Sequence, residues 1–368
     1  MKITAIEAIP YTIPYRRPLK FASGQVTQAD HVLIRVHTDA GIIGVSDTPP
    51  RPFTYGETQG SIISVVKDIF APQMIGADPF AREKLRSVMG KTLNNATAKG
   101  SIDIALWDIM GQYLKVPVSR LLGGYTDRLR VSHMLGFKEP SELVEEAAQM
   151  RERYGIETFK LKVGRTPASL DMAAARALRE TFGNEVELYM DANRGWSAAE
   201  AGQVLQEASE LGMQFLEEPN DAAQHLGRRW LTSRSAIPIA ADESAPDLAA
   251  SARELVTSGA NLLAVKTART GFTESSRIVG LAEGLGVELY IGNQVDTQLG
   301  SAASVAFGAA FESTSRRAAE LSNFLDMSDD LITEPLQIVN GTVRTRQAPG
   351  VGNAVDDDKL AHYRTDQK

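Results

Sequence analysis

The sequence predicts an α/β protein in which a smaller α+β domain precedes a closed (β/α) barrel. The 368 residues exceed one ordinary domain, and a hydrophobic content of 43% is enough for a large core. From Leu129 onward, short apolar strands alternate with helices rich in Ala, Leu and Glu, which is typical of a parallel sheet. Eight strands end at regular intervals of 24 to 31 residues, which favours a closed barrel over an open sheet. The predicted strand ends are His133, Lys160, Asp191, Glu217, Asp242, Lys266, Asn293 and Glu320.

Residues 1–125 are predicted to form the α+β domain, and residues 126–325 the barrel. Two strand-like runs, Lys2–Pro14 and His31–Asp47, open the chain, and a turn at Thr38–Gly41 divides the second, so a hairpin with a third strand is expected. Helical periods follow at Thr58–Phe70, Asp78–Met89 and Ser101–Leu114.

The last predicted segment, residues 326–368, follows the barrel. Leu336–Val339 and Thr342–Arg344 are strand-like runs on either side of a turn at Gly341. We expect this segment to return to the N-terminal domain and to add its strands there.

Composition excludes several classes of function. The chain has no cysteine, so disulfides, thiolate metal sites and cysteine nucleophiles are absent. Its net charge of −7 is spread along the chain without a basic stripe, so nucleic acid is not an expected partner. No segment approaches a membrane span, and the N-terminus resembles a strand and not a targeting signal, so a cytoplasmic protein without a membrane partner is expected. The five histidines lack metal-site spacing, and His133 is interpreted as a satisfied core or rim residue.

Three acids end three consecutive predicted strands, namely Asp191, Glu217 and Asp242. A single such acid is equally well explained as a helix N-cap, but three at one barrel mouth would repel each other strongly without a cation. Oxygen ligands suit Mg²⁺ or Mn²⁺, so one divalent cation is expected. Asn193, Glu218 and Glu243 lie beside these acids and are predicted to orient them. Spacing alone leaves open which acid of each neighbouring pair is the ligand.

Amines end two further strands. Lys160 and Lys162 are two residues apart and therefore face the same side of their strand, and Lys266 ends the strand across the barrel. Each lysine alone would more often be a rim residue or an ion-pair partner. On either side of three acids they suggest an acid/base pair. Lys160 and Lys162, next to each other and close to a metal cation, are expected to lower each other's pKa. The chemistry expected of this set is an enolate next to a carboxylate, with a lysine adding or removing the α-proton.

The sequence resembles the enolase superfamily in its muconate-lactonising subgroup, nearly from end to end. The matching motifs are the K-x-K of Lys160 and Lys162, the D-x-N of Asp191 and Asn193, the E-x-P of Glu217 and Pro219, and the A-D-E-S of residues 241–244. The resemblance implies a modified TIM barrel of the (β/α)7β type with an N-terminal capping domain. It also implies Asp191, Glu217 and Asp242 as metal ligands, Lys162 as the proton-transferring base and Lys266 as its counterpart.

Within this subgroup the motifs do not separate muconate cycloisomerases, o-succinylbenzoate synthases, N-acylamino acid racemases and dipeptide epimerases. Other segments look closest to muconate cycloisomerases, which implies a small dicarboxylate substrate. In those enzymes the acid at the place of Glu320 is proposed to act as an acid, and a Glu is usual where Asp296 stands. Asn293 and Asp296 are therefore predicted to contact the substrate pocket.

Loops Pro14–Gly24 and Thr48–Gly56 are predicted to form a lid that sets specificity. A dipeptide epimerase would be expected to carry a D-x-D after the eighth strand, and residues 323–326 read Asn-Phe-Leu-Asp instead. A catalytically silent barrel is disfavoured because the acids and lysines are intact. We further expect a homo-oligomer.

Overall fold

The computed structural model describes residues 1–21 and 24–367. Its N-terminal part holds a three-stranded antiparallel sheet in the order β1-β2-β3, which confirms the expected hairpin with a third strand. The strands are β1 (Ile3–Phe21), β2 (Gly24–Thr38) and β3 (Ile43–Thr48).

The segment Pro14–Gly24, predicted as a lid loop, is mostly strand. After a register shift beyond Pro14, the backbone of β1 continues to pair with β2 as far as Phe21 and Gly24. The loop assignment was wrong because a strand with an irregular register lacks the strict alternation of a regular strand. The role of this segment in specificity stays a prediction. Residues 22 and 23 of this predicted loop lie outside the described residues.

The helices of the N-terminal part pack on one face of this sheet and confirm the three predicted helical stretches. They are α1 (Pro52–Tyr55), α2 (Gln59–Ser64), α3 (Ala71–Met74), α4 (Arg82–Met89) and α5 (Ala96–Leu114), with a π-helical turn at Val65–Phe70 between α2 and α3. Helix α5 is buried over most of its length and contacts both β3 and the barrel. At Gly100 of α5, a Cβ would lie 2.7 Å from the backbone oxygen of Ala268, so this close approach to the barrel requires glycine.

Eight parallel strands form the barrel, as the strand-end spacing predicted. They are β4 (Arg128–Leu135), β5 (Thr158–Lys162), β6 (Glu187–Asp191), β7 (Met213–Glu217), β8 (Ile239–Ala241), β9 (Leu262–Val265), β10 (Glu288–Ile291) and β11 (Ala319–Glu320). Strands β4 to β10 are hydrogen-bonded in chain order, and β11 contacts β10 and pairs with β4 to close the ring. Tyr189, Phe215 and Tyr290 pack together within the barrel strands.

The helices around the barrel follow the expected alternation with the strands. They are α6 (Val118–Leu122), α7 (Pro140–Tyr154), α8 (Ser169–Phe182), α9 (Ala198–Glu210), α10 (His225–Thr232), α11 (Leu248–Arg253), α12 (Thr267–Leu285), α13 (Gln298–Gly308) and α14 (Glu312–Ser315). Short turns add a π-helical segment at Glu254–Ser258 and 3₁₀ turns at Gly183–Glu185 and Asn323–Asp326. No helix among the described residues is long and apolar enough to cross a lipid bilayer.

The C-terminal strands correct one prediction. Strands β12 (Ile338–Val339) and β13 (Thr342–Arg344) were expected to join the N-terminal domain, but β13 pairs antiparallel with β4 of the barrel. Strand β4 offers this edge because its first residues, Arg128–Arg130, precede the stretch that pairs with β5. Other parts of the segment do return to β1, as expected: Met327 forms an isolated bridge with Tyr15, and Ser328 donates its backbone N–H to Pro14. The last helix, α15 (Asp357–Tyr363), also reaches β1, where Leu360 packs in an apolar cluster with Tyr11.

Candidate active site

A cavity of about 710 Å³ lies between the barrel mouth and the N-terminal domain. The barrel contributes nine of the twelve predicted site residues to the wall of this cavity. These are Lys160, Lys162, Asp191, Asn193, Asp242, Glu243, Lys266, Asn293 and Glu320. The N-terminal domain covers the mouth with parts of β1 and β2 and with residues 49–60, so the predicted loop Thr48–Gly56 does face the cavity.

Lys160 is the centre of a buried ion-pair cluster. Its Nζ lies 2.7 Å from Glu217 Oε2, 2.7 Å from Glu320 Oε1 and 2.9 Å from Asp191 Oδ2. Burial lowers the pKa of Lys160, but the three carboxylates outweigh it and hold the pKa well above its ordinary value. Without a cation, the nearest charges are acids and not the second lysine. The predicted lowering concerns the amines next to a bound cation, and it stays a prediction. Lys160 is a charged binding group.

Lys162 shares Asp191 with Lys160. Lys162 Nζ donates to Asp191 Oδ2 at 2.6 Å and to Asn193 Oδ1 at 2.5 Å. Asn193 also donates its backbone N–H to Asp191 Oδ1 at 2.9 Å and its side-chain amide to Glu243 at 2.9 Å. Burial opposes ionisation of Asp191, but the two lysines hold its pKa at about 2. Asn193 thus orients both the acid and the amine, as predicted for a neighbour of the first acid.

Lys266 occupies the opposite side of the cavity. Its strand, β9, is four strands from β5, and the acids of β6, β7 and β8 lie between the two. Lys266 Nζ donates to Asp242 Oδ2 at 2.5 Å, and Arg269 donates to Asp242 Oδ1 at 2.8 Å. Burial lowers the pKa of Lys266, but Asp242 and Tyr55 outweigh it and raise the pKa above its ordinary value. Two amines therefore face one cavity from two flanks.

Glu217 and Glu218 have different surroundings although they are adjacent. Glu217 is fully buried beneath Lys160 and outside the cavity wall, and its Oε1 has no hydrogen-bond partner among the described residues. Burial and the charge of Asp191 raise the pKa of Glu217 well above its ordinary value. Glu218 accepts the backbone N–H of Asp242 at 2.7 Å and pairs with Arg228 at 2.9 Å. Glu218 thus already has hydrogen-bond donors, whereas Oε1 of Glu217 is available to a cation or a further donor.

These donors fit a divalent cation. Within the described part of the chain, no three Asp, Glu or His side chains are already gathered into a cation cage, because lysine and arginine groups hold the acid oxygens. The partnerless Oε1 of Glu217 and the partnerless Oε2 of Glu243 are buried acceptors that a cation would satisfy. Oxygen donors from three neighbouring strands are also the set that Mg²⁺ and Mn²⁺ prefer. Both oxygens of Asp242 already have donors, so Glu243 competes with Asp242 as a ligand candidate.

Glu320 and Asp296, which were predicted to lie at the substrate pocket, occupy different places. Glu320 lies on the wall, where Oε1 accepts from Lys160 and Tyr189, and Oε2 accepts the backbone N–H of Asn293 at 3.1 Å. Asp296 is 1% exposed and is not on the wall, which corrects its predicted contact with the pocket. Asn293 Oδ1 accepts the backbone N–H groups of residues 295 and 296, and this turn directs Asp296 behind the wall.

His133 is a buried histidine with hydrogen-bond partners for both ring nitrogens, which confirms its interpretation as a satisfied core residue. Its Nδ1 lies 3.0 Å from Ser322 Oγ and its Nε2 lies 3.4 Å from Glu146, and it is not on the cavity wall.

Four other residues with polar roles at or near the site were not predicted from the sequence, namely His31, Tyr55, Arg228 and Arg269. Arg269 lies three residues after Lys266, so its position on the first turn of α12 was a usable signal.

Comparisons with known proteins cover almost the whole chain. Residues 4–123 match the family model for the mandelate racemase / muconate lactonizing enzyme N-terminal domain, and residues 142–359 match the enolase C-terminal domain-like model. The muconate lactonizing enzyme of Mycobacterium smegmatis, solved in complex with muconolactone, is 56% identical, with each chain covered completely and a TM-score of 0.98. Muconate cycloisomerase 1 of Acinetobacter baylyi is 32% identical, with 98% of this chain and 99% of that protein covered.

The same comparisons include an enzyme of another specificity. The dipeptide epimerase of Enterococcus faecalis, solved with Mg and the dipeptide L-Leu-L-Tyr, is 27% identical, with 96% of this chain and 100% of that chain covered and a TM-score of 0.91. Relatives of this chain thus act on small substrates, and enzymes of this superfamily bind a divalent metal. The chain belongs to the enolase superfamily and is an isomerase-class enzyme with an N-terminal capping domain and a TIM-type barrel.

Proposed function

We propose that the enzyme is a muconate cycloisomerase, which interconverts cis,cis-muconate and muconolactone through an enolate in the catabolism of aromatic compounds. The observation that carries the proposal is the placement of Lys162 and Lys266 on opposite sides of three strand-end acids. The full-length likeness to a muconate lactonizing enzyme, at 56% identity, supports this reaction over others on the same scaffold.

Asp191, Glu217 and Asp242 are proposed to hold one Mg²⁺ or Mn²⁺. When bound, the cation supplies positive charge that favours an enolate next to the substrate carboxylate. Glu218 fixes the backbone of Asp242, and Asn193 fixes Asp191, so two of the three acids have their positions set by neighbouring side chains. Lys160, charged and bound to Asp191, Glu217 and Glu320, keeps this acidic cluster together.

Lys162 is proposed to move the proton in the forward reaction. An oxygen of one substrate carboxylate forms a C–O bond to the conjugated alkene, and the alkene electron pair moves to give the enolate of the other carboxyl group. The Lys162 ammonium then transfers a proton to the α-carbon, which gives the lactone and leaves a neutral amine. Lys266 faces the same cavity from the other side and is proposed as the counterpart for the opposite face. Glu320 is proposed as an acid near the same pocket.

The surroundings of β11 argue against dipeptide epimerisation. A substrate ammonium group would need a carboxylate next to this strand, but the wall residue there is Asn323, whose amide donates to Asn293 at 2.7 Å. The nearest following acid, Asp326, lines a separate cavity beside Arg17 and Lys138. Racemisation of an N-acylamino acid stays a rival, since it needs the same two lysines, and so does o-succinylbenzoate synthesis on the same scaffold.

The direct test is to incubate the Mn²⁺-loaded enzyme with cis,cis-muconate and follow the loss of ultraviolet absorbance. Turnover to muconolactone is expected. No turnover, together with exchange of the α-proton of an N-succinyl amino acid or a dipeptide, would transfer the assignment to a racemase or epimerase. A homo-oligomer stays a prediction, and sedimentation velocity measures it.

A further inference from the structure

The N-terminal domain places a histidine in the wall of the active-site cavity. His31 lies on β2 and lines the same cavity as Lys162 and Lys266, although the residue is only 2% exposed. Its Nδ1 lies 3.0 Å from Asp47, which is on the adjacent strand β3. His31 thus faces the cavity from the N-terminal domain, and Asp47 lies behind it.

Asp47 is held by three donors. Besides His31, it accepts the Tyr11 hydroxyl at 2.8 Å and the Thr297 hydroxyl at 2.7 Å. Thr297 belongs to the barrel, at the start of α13, so this network joins the sheet of the N-terminal domain to the barrel. Burial opposes ionisation, but His31 and these hydrogen bonds lower the pKa of Asp47 below its ordinary value. Asp47 is therefore a fixed carboxylate.

The second ring nitrogen of His31 is free to act. Burial lowers the pKa of His31, but Asp47 outweighs it, and the net result is a raised pKa. When the ring is protonated, it donates Nδ1–H to Asp47 and keeps Nε2–H as a second donor. No hydrogen bond joins Nε2 to another of the described residues, and Nε2 is not among their buried, partnerless polar atoms. This nitrogen therefore reaches the cavity.

We propose that His31 is a substrate-binding residue that donates Nε2–H to the substrate carboxylate that attacks the alkene, and that Asp47 is its positioning residue. This rests on the proposed function, because cis,cis-muconate carries a carboxylate at each end and only one of them becomes the enolate. One oxygen of the attacking carboxylate accepts from His31 while the other forms the C–O bond. In the lactone, the accepting oxygen becomes the carbonyl oxygen and keeps the same donor.

Arg51 is the other cation that the N-terminal domain places on the cavity wall. Within the part of the chain that the structure describes, no ion pair fixes its guanidinium, so carboxylate binding would cost the side-chain entropy of a long arginine. His31 is already fixed by Asp47 and by a tilted ring contact with Tyr11 at 5.7 Å between ring centroids. A preorganised donor loses less freedom on binding, which favours His31.

The test compares the binding of a six-carbon diacid, adipate, with that of its monoacid, hexanoate, to the Mg²⁺-loaded enzyme by calorimetry. The diacid should bind more tightly to the wild type. In His31→Gln this preference should fall about ten- to hundredfold, as expected for one charge-assisted hydrogen bond, while hexanoate affinity stays the same. His37→Gln is the matched control, because His37 lies on the same strand and pairs with Glu7 on the surface of the sheet. It should leave the preference unchanged.

A second variant, Asp47→Asn, keeps the shape of the network but removes the charge opposite His31, and it should also lower the preference. The inference is overturned if the wild type shows no preference for the diacid, if His31→Gln retains it, or if Arg51→Gln alone removes it. A different result would contradict the proposed function alone: muconate is not turned over, yet the wild type still prefers the diacid and His31→Gln still loses this preference.

Discussion

The side chain of Glu218 accepts the backbone N–H of Asp242 at 2.7 Å, so an acid at the end of β7 fixes the backbone at the end of β8. Glu218 is fully buried, and its main counter-charge is Arg228, which is 1% exposed. The proposed metal ligand Asp242 therefore depends on an ion pair that does not face the cavity.

Arg228→Met should destabilise the protein by about 3–5 kcal/mol, because it leaves a buried carboxylate without its counter-charge. Equilibrium urea unfolding followed by circular dichroism measures this. The neighbouring Arg229 is exposed, and Arg229→Met should change the free energy of unfolding by less than about 0.5 kcal/mol. Equal stability of the two variants would contradict the structural role of the Glu218–Arg228 pair.

Lys162→Ala should lower kcat for muconate about 10²- to 10⁴-fold, since it removes the proposed proton donor. Mn²⁺ affinity, measured by electron paramagnetic resonance, should persist because the three proposed acid ligands remain. Lys91 is an exposed lysine outside the cavity wall, and Lys91→Ala should leave kcat unchanged. Full turnover in Lys162→Ala would sink the proposed role.

Asp242→Asn should weaken Mn²⁺ binding by at least about tenfold, which is the lower end of the effect known for groups that merely orient a ligand. Titration calorimetry with Mn²⁺ measures it. Glu243→Gln is the informative partner, because Glu243 lies on the wall with a partnerless Oε2. If only Glu243→Gln weakened binding, Glu243 and not Asp242 would be the ligand.

Stability should depend on pH through Glu146. Burial raises the pKa of Glu146, but His133 and Lys138 outweigh it and lower the pKa from 4.5 to about 2. A lowered carboxylate pKa stabilises the fold above pH 4.5, and this contribution is lost as the pH falls towards 2. The free energy of unfolding of the wild type should exceed that of Glu146→Gln at neutral pH, and this difference should shrink by up to about 3 kcal/mol at acidic pH.

Urea unfolding of both proteins at a series of pH values measures this difference in the free energy of unfolding. Glu145 is the exposed neighbour of Glu146 on α7, and Glu145→Gln should follow the wild type at every pH. A constant difference between the wild type and Glu146→Gln across the acidic range would refute the expected linkage.

The barrel was predictable because each strand is a short apolar run that ends in a polar residue. Asp191, Glu217 and Lys266 are such residues, and a buried strand leaves no other place for their charge than the cavity mouth or the cluster beneath it. Local pattern was therefore enough to find the acids and the amines. The pKa values of Lys160 and Lys266 were not predictable in the same way, since they depend on which acid oxygens each amine contacts.

Other features depend on pairing between distant parts of the chain. Strand β12 has two residues, Ile338 and Val339, which is too short for a period, and the free edge of β4 that receives β13 is visible only in three dimensions. His31 and Asp47 lie on neighbouring strands of a sheet, and neither belongs to a motif. Asp296 had a family counterpart, but a local turn at Asn293 decides its direction.

Glu320 lies on the shortest strand of the ring, since β11 has two residues and joins β4 through only two residue pairs. The carboxylate that helps to hold Lys160 therefore lies at the junction of β11 and β4, the seam at which the barrel closes. Amide protons at this seam should exchange with solvent sooner than those of β5 or β6, because fewer backbone bonds must open. Transient opening at β11 would admit water next to the acid and amine side chains while β5 and β6 stay paired.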